Sequence, residues 1–222
     1  MPKNKLLVIC VLAMPLFFSS CFEVIEEITL TKDGAGTMRL TINVSQSKSK
    51  LAAIMLMDSI NGYKVPRKQD IQEQIDKTVA QLNDMPGISN VKSSTDFTNF
   101  VADIRFSFRD VADVNRLMKT LMEQYNVNLP RYSYNKENAL FTREYSSSKD
   151  VRDQYSQLSN RDKEIFRAAA YISILRFENT ITSYSNKLAT LSKNQQAIIQ
   201  RLSMPDLING RTNISNQVQL SK

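Results

Sequence analysis

The sequence predicts an α+β fold: a largely antiparallel sheet built from hairpins, with about three to four packed helices. Three observations carry that prediction. Segments with an apolar residue at every second position come in pairs joined by turn-forming residues. Segments with apolar residues at helical spacing lie between those pairs. No fixed-period repeat is visible, which leaves strands in hairpins with helices between them, the layout of an α+β domain.

Phe22–Leu30 is the first strand-like stretch. In the second, Met38, Leu40, Ile42 and Val44 alternate with Thr37, Arg39, Thr41 and Asn43. Lys32-Asp33-Gly34-Ala35-Gly36 joins the two, and Asp-Gly supplies the positive φ of a tight hairpin. Ser47–Ile60 is predicted as a helix with an apolar patch from Leu51 to Met57, ended by Asn61-Gly62. A second helix starts near Pro66, carries Ile71, Ile75, Val79 and Leu82 on one stripe, and stops at Met85-Pro86-Gly87.

Two strands follow, about Ile88–Ser93 and Asn99–Arg109. Asp110 then caps a helix to about Tyr125, with Val111, Val114, Met118, Leu121 and Met122 facing inward. Tyr132–Tyr134 and Leu140–Tyr145 form a hairpin around Asn135-Lys136-Glu137-Asn138. Residues 146–166 are polar and read as a loop plus a short helix. They are the candidate sub-boundary in an otherwise single domain, 21–222. The last quarter returns to strands: Ala170–Phe177, Thr180–Ser185, Lys187–Ser192, Ala197–Met204 and Asn216–Leu220.

Residues 1–20 have a different character. Lys3 and Lys5 precede an apolar run, Leu6–Phe18, followed by Ser19, Ser20 and Cys21. A secretory apolar region is about 7–15 residues and a spanning helix about 20, so this run fits an export signal. The pattern resembles a bacterial lipobox, in the looser form of Bacteroidetes-type bacteria. The resemblance implies cleavage before Cys21 and acylation of Cys21. The expected partner is then a lipid bilayer. The expected place is the cell envelope, with the outer membrane, on its periplasmic or surface face, as first choice, since no Asp follows Cys21. The strand-like Phe22–Leu30 begins at once, so the folded domain is expected close to the bilayer.

Composition narrows the function classes. The chain has 222 residues, 42% hydrophobic and 23% charged, which is ordinary globular material. The net charge is +7, or +5 without the two lysines Lys3 and Lys5, and favours anionic lipid headgroups, lipopolysaccharide phosphates or an acidic partner. The basic residues are scattered, and nucleic acid is not an expected partner. There is no histidine, which removes Ser-His-Asp and Cys-His catalysis and histidine metal sites. With Cys21 acylated and Cys10 in the signal, no thiol nucleophile or thiolate site is left. No calcium-loop spacing or phosphate-cradling glycine loop is present. Asp103, Asp110 and Asp113 are close in sequence, as are Glu26 and Glu27, but strand alternation places Asp103 on a solvent face and Asp110 is read as a helix cap. No catalytic residue, metal or cofactor is therefore expected, and the protein is read as non-enzymatic. Methionine adapts to irregular apolar ligands, so Met55, Met57, Met118 and Met122 mark a candidate ligand or partner groove, with hydrophobic core as the competing explanation. Asp58-Ser59-Ile60 resembles a short O-glycosylation acceptor motif.

Two motifs resemble the LppM-type family of bacterial lipoprotein domains. One is the opening strand, the Asp33-Gly34-Ala35-Gly36 turn and the alternating strand just after the cysteine. The other is Met204-Pro205-Asp206-Leu207-Ile208-Asn209-Gly210-Arg211-Thr212-Asn213 after a hairpin strand. The resemblance implies an envelope lipoprotein with a lipid-associated α+β domain, and it does not imply an enzyme. Members often carry a Pro-Gly turn where this chain has Glu178-Asn179. The expected function is a membrane-anchored lipoprotein that binds a lipid or acyl ligand at the membrane surface. The alternative is a structural or adaptor subunit of an envelope protein complex.

Overall fold

A computed structural model describes residues 22–60, 63–122 and 128–222. Cys21 and the signal-like segment lie outside the described residues. The fold is α+β, with a seven-stranded, mostly antiparallel sheet and a four-stranded antiparallel sheet.

The first hairpin pairs β1 (Glu23–Leu30) with β2 (Gly36–Asn43) over all eight positions, from Glu23↔Asn43 to Leu30↔Gly36. Its turn closes through Thr31 N donating to Ala35 O at 2.8 Å, with Gly34 at φ +81°. That is the left-handed conformation that Asp-Gly accommodates. A short helix, α1 (Lys48–Ile54), comes next, then a two-residue pairing of β3 (Ser59–Ile60) with β4 (Tyr63–Lys64). Helix α2 (Lys68–Asn83) leads to the hairpin of β5 (Ile88–Asp96) and β6 (Val101–Phe108), and β6 pairs with β2. Helix α3 (Val111–Met122) starts at Asp110, whose carboxylate accepts from Ala112 N at 2.8 Å, the expected cap.

The hairpin of β7 (Arg131–Asn135) and β8 (Leu140–Glu144) belongs to the second sheet. Helices α4 (Lys149–Gln157) and α5 (Asn160–Phe166) connect it to β9 (Ala170–Phe177). β9 returns to the first sheet and lies parallel to β1 along its whole length. β10 (Ile181–Tyr184), β11 (Thr190–Leu191), β12 (Ala197–Ser203), α6 (Met204–Ile208) and β13 (Asn216–Leu220) finish the chain. The large sheet runs β11-β12-β9-β1-β2-β6-β5 and the small one β10-β13-β8-β7.

The main core lies on the inner face of the large sheet. Ile198, Leu175, Ile28, Met38 and Phe106 form one cross-strand row, every member buried. Phe141 of the small sheet is fully buried and meets Phe177 edge-on at 5.4 Å. Val111, Val114 and Leu117 of α3 seal the same core. Each large side chain buried there stabilises the fold by about 1.5–3 kcal/mol.

Several elements depart from the sequence expectation. The helix predicted over Ser47–Ile60 ends at Ile54, and Ser59–Ile60 is a strand. Asn61-Gly62, expected to end that helix, lies outside the described residues, and Ser59–Ile60 and Tyr63–Lys64 on either side of it are paired. The described residues hold six α-helices, more than expected. Residues 146–166 form two helices where one short helix is expected, with Ser148 and Ser159 side chains accepting from Val151 N and Asp162 N as N-caps. A further short helix follows β12, with Ser203 as its cap and Pro205 in its first turn. The strand expected over Lys187–Ser192 shrinks to Thr190–Leu191, because Asn186 and Asn216 fold 185–188 into a hydrogen-bonded turn.

Candidate functional site

A cavity of about 730 Å³ lies beside the main core, on the same inner face of the large sheet. Its floor is Leu40 and Ile42 of β2 with Ala102 and Ile104 of β6, paired as Leu40↔Ile104 and Ile42↔Ala102. Ile71, Ile75 and Thr78 form one wall, because positions i, i+4 and i+7 of α2 share a helix face. Leu51, Ile54 and Met55 at the end of α1 form a second wall. Phe97 and Phe100, from the loop between β5 and β6, line one end.

That loop is held firmly. The Asp96 carboxylate accepts from Thr98 N, Asn99 N and Asn99 Nδ2 at 2.8–3.0 Å. These bonds, the Asn99 side chain foremost, hold the Asp96 carboxyl below its ordinary value. Phe100 has φ +55°, a rare conformation for a bulky residue, and Val44 N donates to its carbonyl at 2.9 Å. Backbone strain of this kind is found where a side chain is held in place by its surroundings.

The lining is apolar, yet little of it is buried. Val65 is 7% exposed, while Ile42, near the end of β2 and paired on both sides, is 54% exposed. The cavity is therefore an open trough between sheet and helices. Its volume falls in the 300–1,000 Å³ range of small-molecule sites. Its polar rim holds Lys64, Asp70 and Asp96. Asp70 accepts from Arg67 N at 2.9 Å as part of the α2 cap. The Lys68 ammonium sits 5.8 Å from the Phe97 ring centroid.

A buried polar cluster adjoins this floor, since Glu26 pairs across β1–β2 with Leu40. Arg143 Nη1 donates to Glu26 Oε1 at 3.1 Å and to Ser173 Oγ at 2.6 Å. Its Nη2 donates to Gln200 Oε1 and its Nε to Ile214 O. Tyr132 and Tyr171 hydroxyls donate to Glu26 Oε2 at 3.0 and 2.5 Å. Burial, reinforced by the Glu26 charge, pushes both phenols well above their ordinary value, so they remain donors. The cluster satisfies a buried ion pair and joins the two sheets. Glu27 points to the opposite face and pairs with Arg176 at 3.6 Å. Asp103 pairs with Arg39 at 3.0 Å on that outer face.

The methionines separate. Met55 lines the cavity. Met57 follows it in a turn and is 50% exposed. Met118, on α3, packs against the main core. Met122 ends α3, and its side-chain surroundings lie outside the described residues, as does Cys21. Ser59 is exposed on β3. Sequence reasoning missed the floor of the trough, although Leu40, Ile42, Ala102 and Ile104 all sit at alternating positions. It also missed Arg143, whose signal was its place on the same strand face as Phe141. Among the described residues, no helix is long and apolar enough to cross a membrane.

No family model matches this chain. No curated protein matches it either. Among solved structures, it is similar to the folded domain of the Mycobacterium tuberculosis LppM protein, determined by NMR. The TM-score is 0.48 and the identity 12%, over 94% of this chain and 95% of that one.

Proposed function

We propose that this protein is a non-enzymatic envelope lipoprotein, anchored through acylated Cys21, whose trough binds a lipid or acyl ligand. The trough carries the reading: an apolar cavity of about 730 Å³ whose floor residue Ile42 is left 54% exposed. Burying apolar surface is worth about 25 cal/mol per Å², so such a surface favours an apolar occupant. The carboxylates nearby are engaged in caps and ion pairs, which favours binding over acid–base chemistry. The chain carries no histidine to act as a general base.

The test is lipid extraction and mass spectrometry on the purified full-length protein, beside Ala102→Phe, which fills the floor. The expected result is one acyl-bearing molecule per chain, lost in the variant. An empty wild-type protein that also fails to take up a fluorescent fatty acid would overturn the reading.

A further inference from the structure

The large apolar side chains exposed among the described residues are Ile42, Leu56, Met57, Leu188 and Ile199. Three of the five belong to the trough or its rim. Ile42 lies on the floor, and Leu56 and Met57 directly follow the wall residue Met55. Leu56 is 90% exposed. Its exposure is not fraying. Met55 N, Leu56 N and Met57 N donate to Leu51 O, Ala53 O and Ile54 O, and Val65 N donates to Asp58 O. The backbone N–H groups of this turn are paired while the Leu56 and Met57 side chains face water.

The charge around the turn is mainly basic. Lys48, Lys50, Lys64, Arg67 and Lys68 are all exposed, and no ion pair among the described residues involves them. The two acidic residues of the same stretch are Asp58 and Asp70, and Asp70 is engaged at the α2 cap. An apolar tip within a basic collar suits an anionic bilayer, where the tip enters the interface and the collar meets headgroups. The chain also enters the fold at this end. Glu23 pairs with Asn43, between the lining residues Ile42 and Val44, and two residues span at most roughly 7 Å.

We infer that the Leu56–Met57 turn is a membrane-docking lip, which seats the mouth of the trough on an anionic bilayer so that the ligand exchanges directly with the membrane. The exchange rests on the lipid reading above; the docking does not.

The chain has no tryptophan, so single-tryptophan variants report cleanly. Full-length Leu56→Trp and Leu188→Trp, both at exposed positions, would be reconstituted into phosphatidylglycerol-containing vesicles with brominated acyl chains. The expected result is blue-shifted, quenched emission from position 56 and unchanged emission from position 188. Lys48→Gln with Lys50→Gln should lower the ratio of docked to undocked protein by roughly 30-fold, at about fivefold per lysine near the surface. Emission from position 56 unaffected by vesicles, or equal quenching at both positions, would overturn the docking. So would a shift at position 56 produced by a soluble envelope protein and not by vesicles, which would make the turn a protein contact. Lipid content measured on the same samples separates the two claims. A filled trough with silent position 56 removes only the docking, and an empty trough with a quenched position 56 removes only the lipid ligand.

Discussion

Met38 and Ile42 lie four residues apart on one strand and face the same side of one sheet, yet Met38 is fully buried and Ile42 is 54% exposed. Around Met38, the small sheet and α3 close over the row from Ile198 to Phe106. Around Ile42, α1 and α2 stand apart and leave the trough. The two ends of the face have the same kind of apolar residue at the same spacing. What differs is the cover. Protein interiors pack densely, so a hollow of this size beside a filled core is the contrast on which the proposed ligand site rests.

The largest effect is expected at the seam between the two ends. Arg143→Met would strand the Glu26 carboxylate in a buried position and cost about 3–5 kcal/mol, read by chemical denaturation. Adding Glu26→Leu should recover part of that loss, because the uncompensated charge goes with it. Next comes the direct contrast along β2. Met38→Ala should cost about 2–5 kcal/mol, whereas Ile42→Ala should cost less than about 1 kcal/mol yet weaken uptake of a fluorescent fatty acid. Similar losses at both positions would remove the distinction.

Adding volume reverses the sign. Ala189→Leu, in the filled core, should cost about 1–3 kcal/mol by overpacking, while Ala102→Leu on the trough floor should be neutral or mildly stabilising. Thermal denaturation of the two variants checks this. The smallest effect is confined to alkaline solution. Tyr132 and Tyr171 keep their protons in the folded state beyond the ordinary value of 10.0, while the unfolded chain ionises near it. Stability is therefore full below about pH 10 and falls as pH rises above it. Tyr132→Phe with Tyr171→Phe should flatten that fall, measured as the denaturation midpoint against pH.

Much of the fold was legible because its cues are local. The alternation in Thr37–Val44, the Asp33-Gly34 turn, the Asp110 cap and the stripe Ile71, Ile75, Val79, Leu82 each depend on residues a few positions apart. Where two local signals competed, the reading slipped. Asn61-Gly62 serves equally as a helix stop or a hairpin loop, and the apolar run Leu51–Met57 lengthened the helix on paper. The candidate site was legible only at Met55. Methionine content pointed to two helices, but Met118 packs on the filled core.

The sequence by itself determined the alternation of strands and helices, most of their turns, and the export-type pattern ending at Cys21, since each is a property of neighbouring residues. Only the tertiary structure decided the parallel pairing of β1 with β9, the meeting of Glu26 with Arg143, and which end of the sheet stays uncovered. Periodicity says which face of a strand is apolar. Whether that face is then filled depends on where distant helices come to rest, and that is set by the packing of the whole chain.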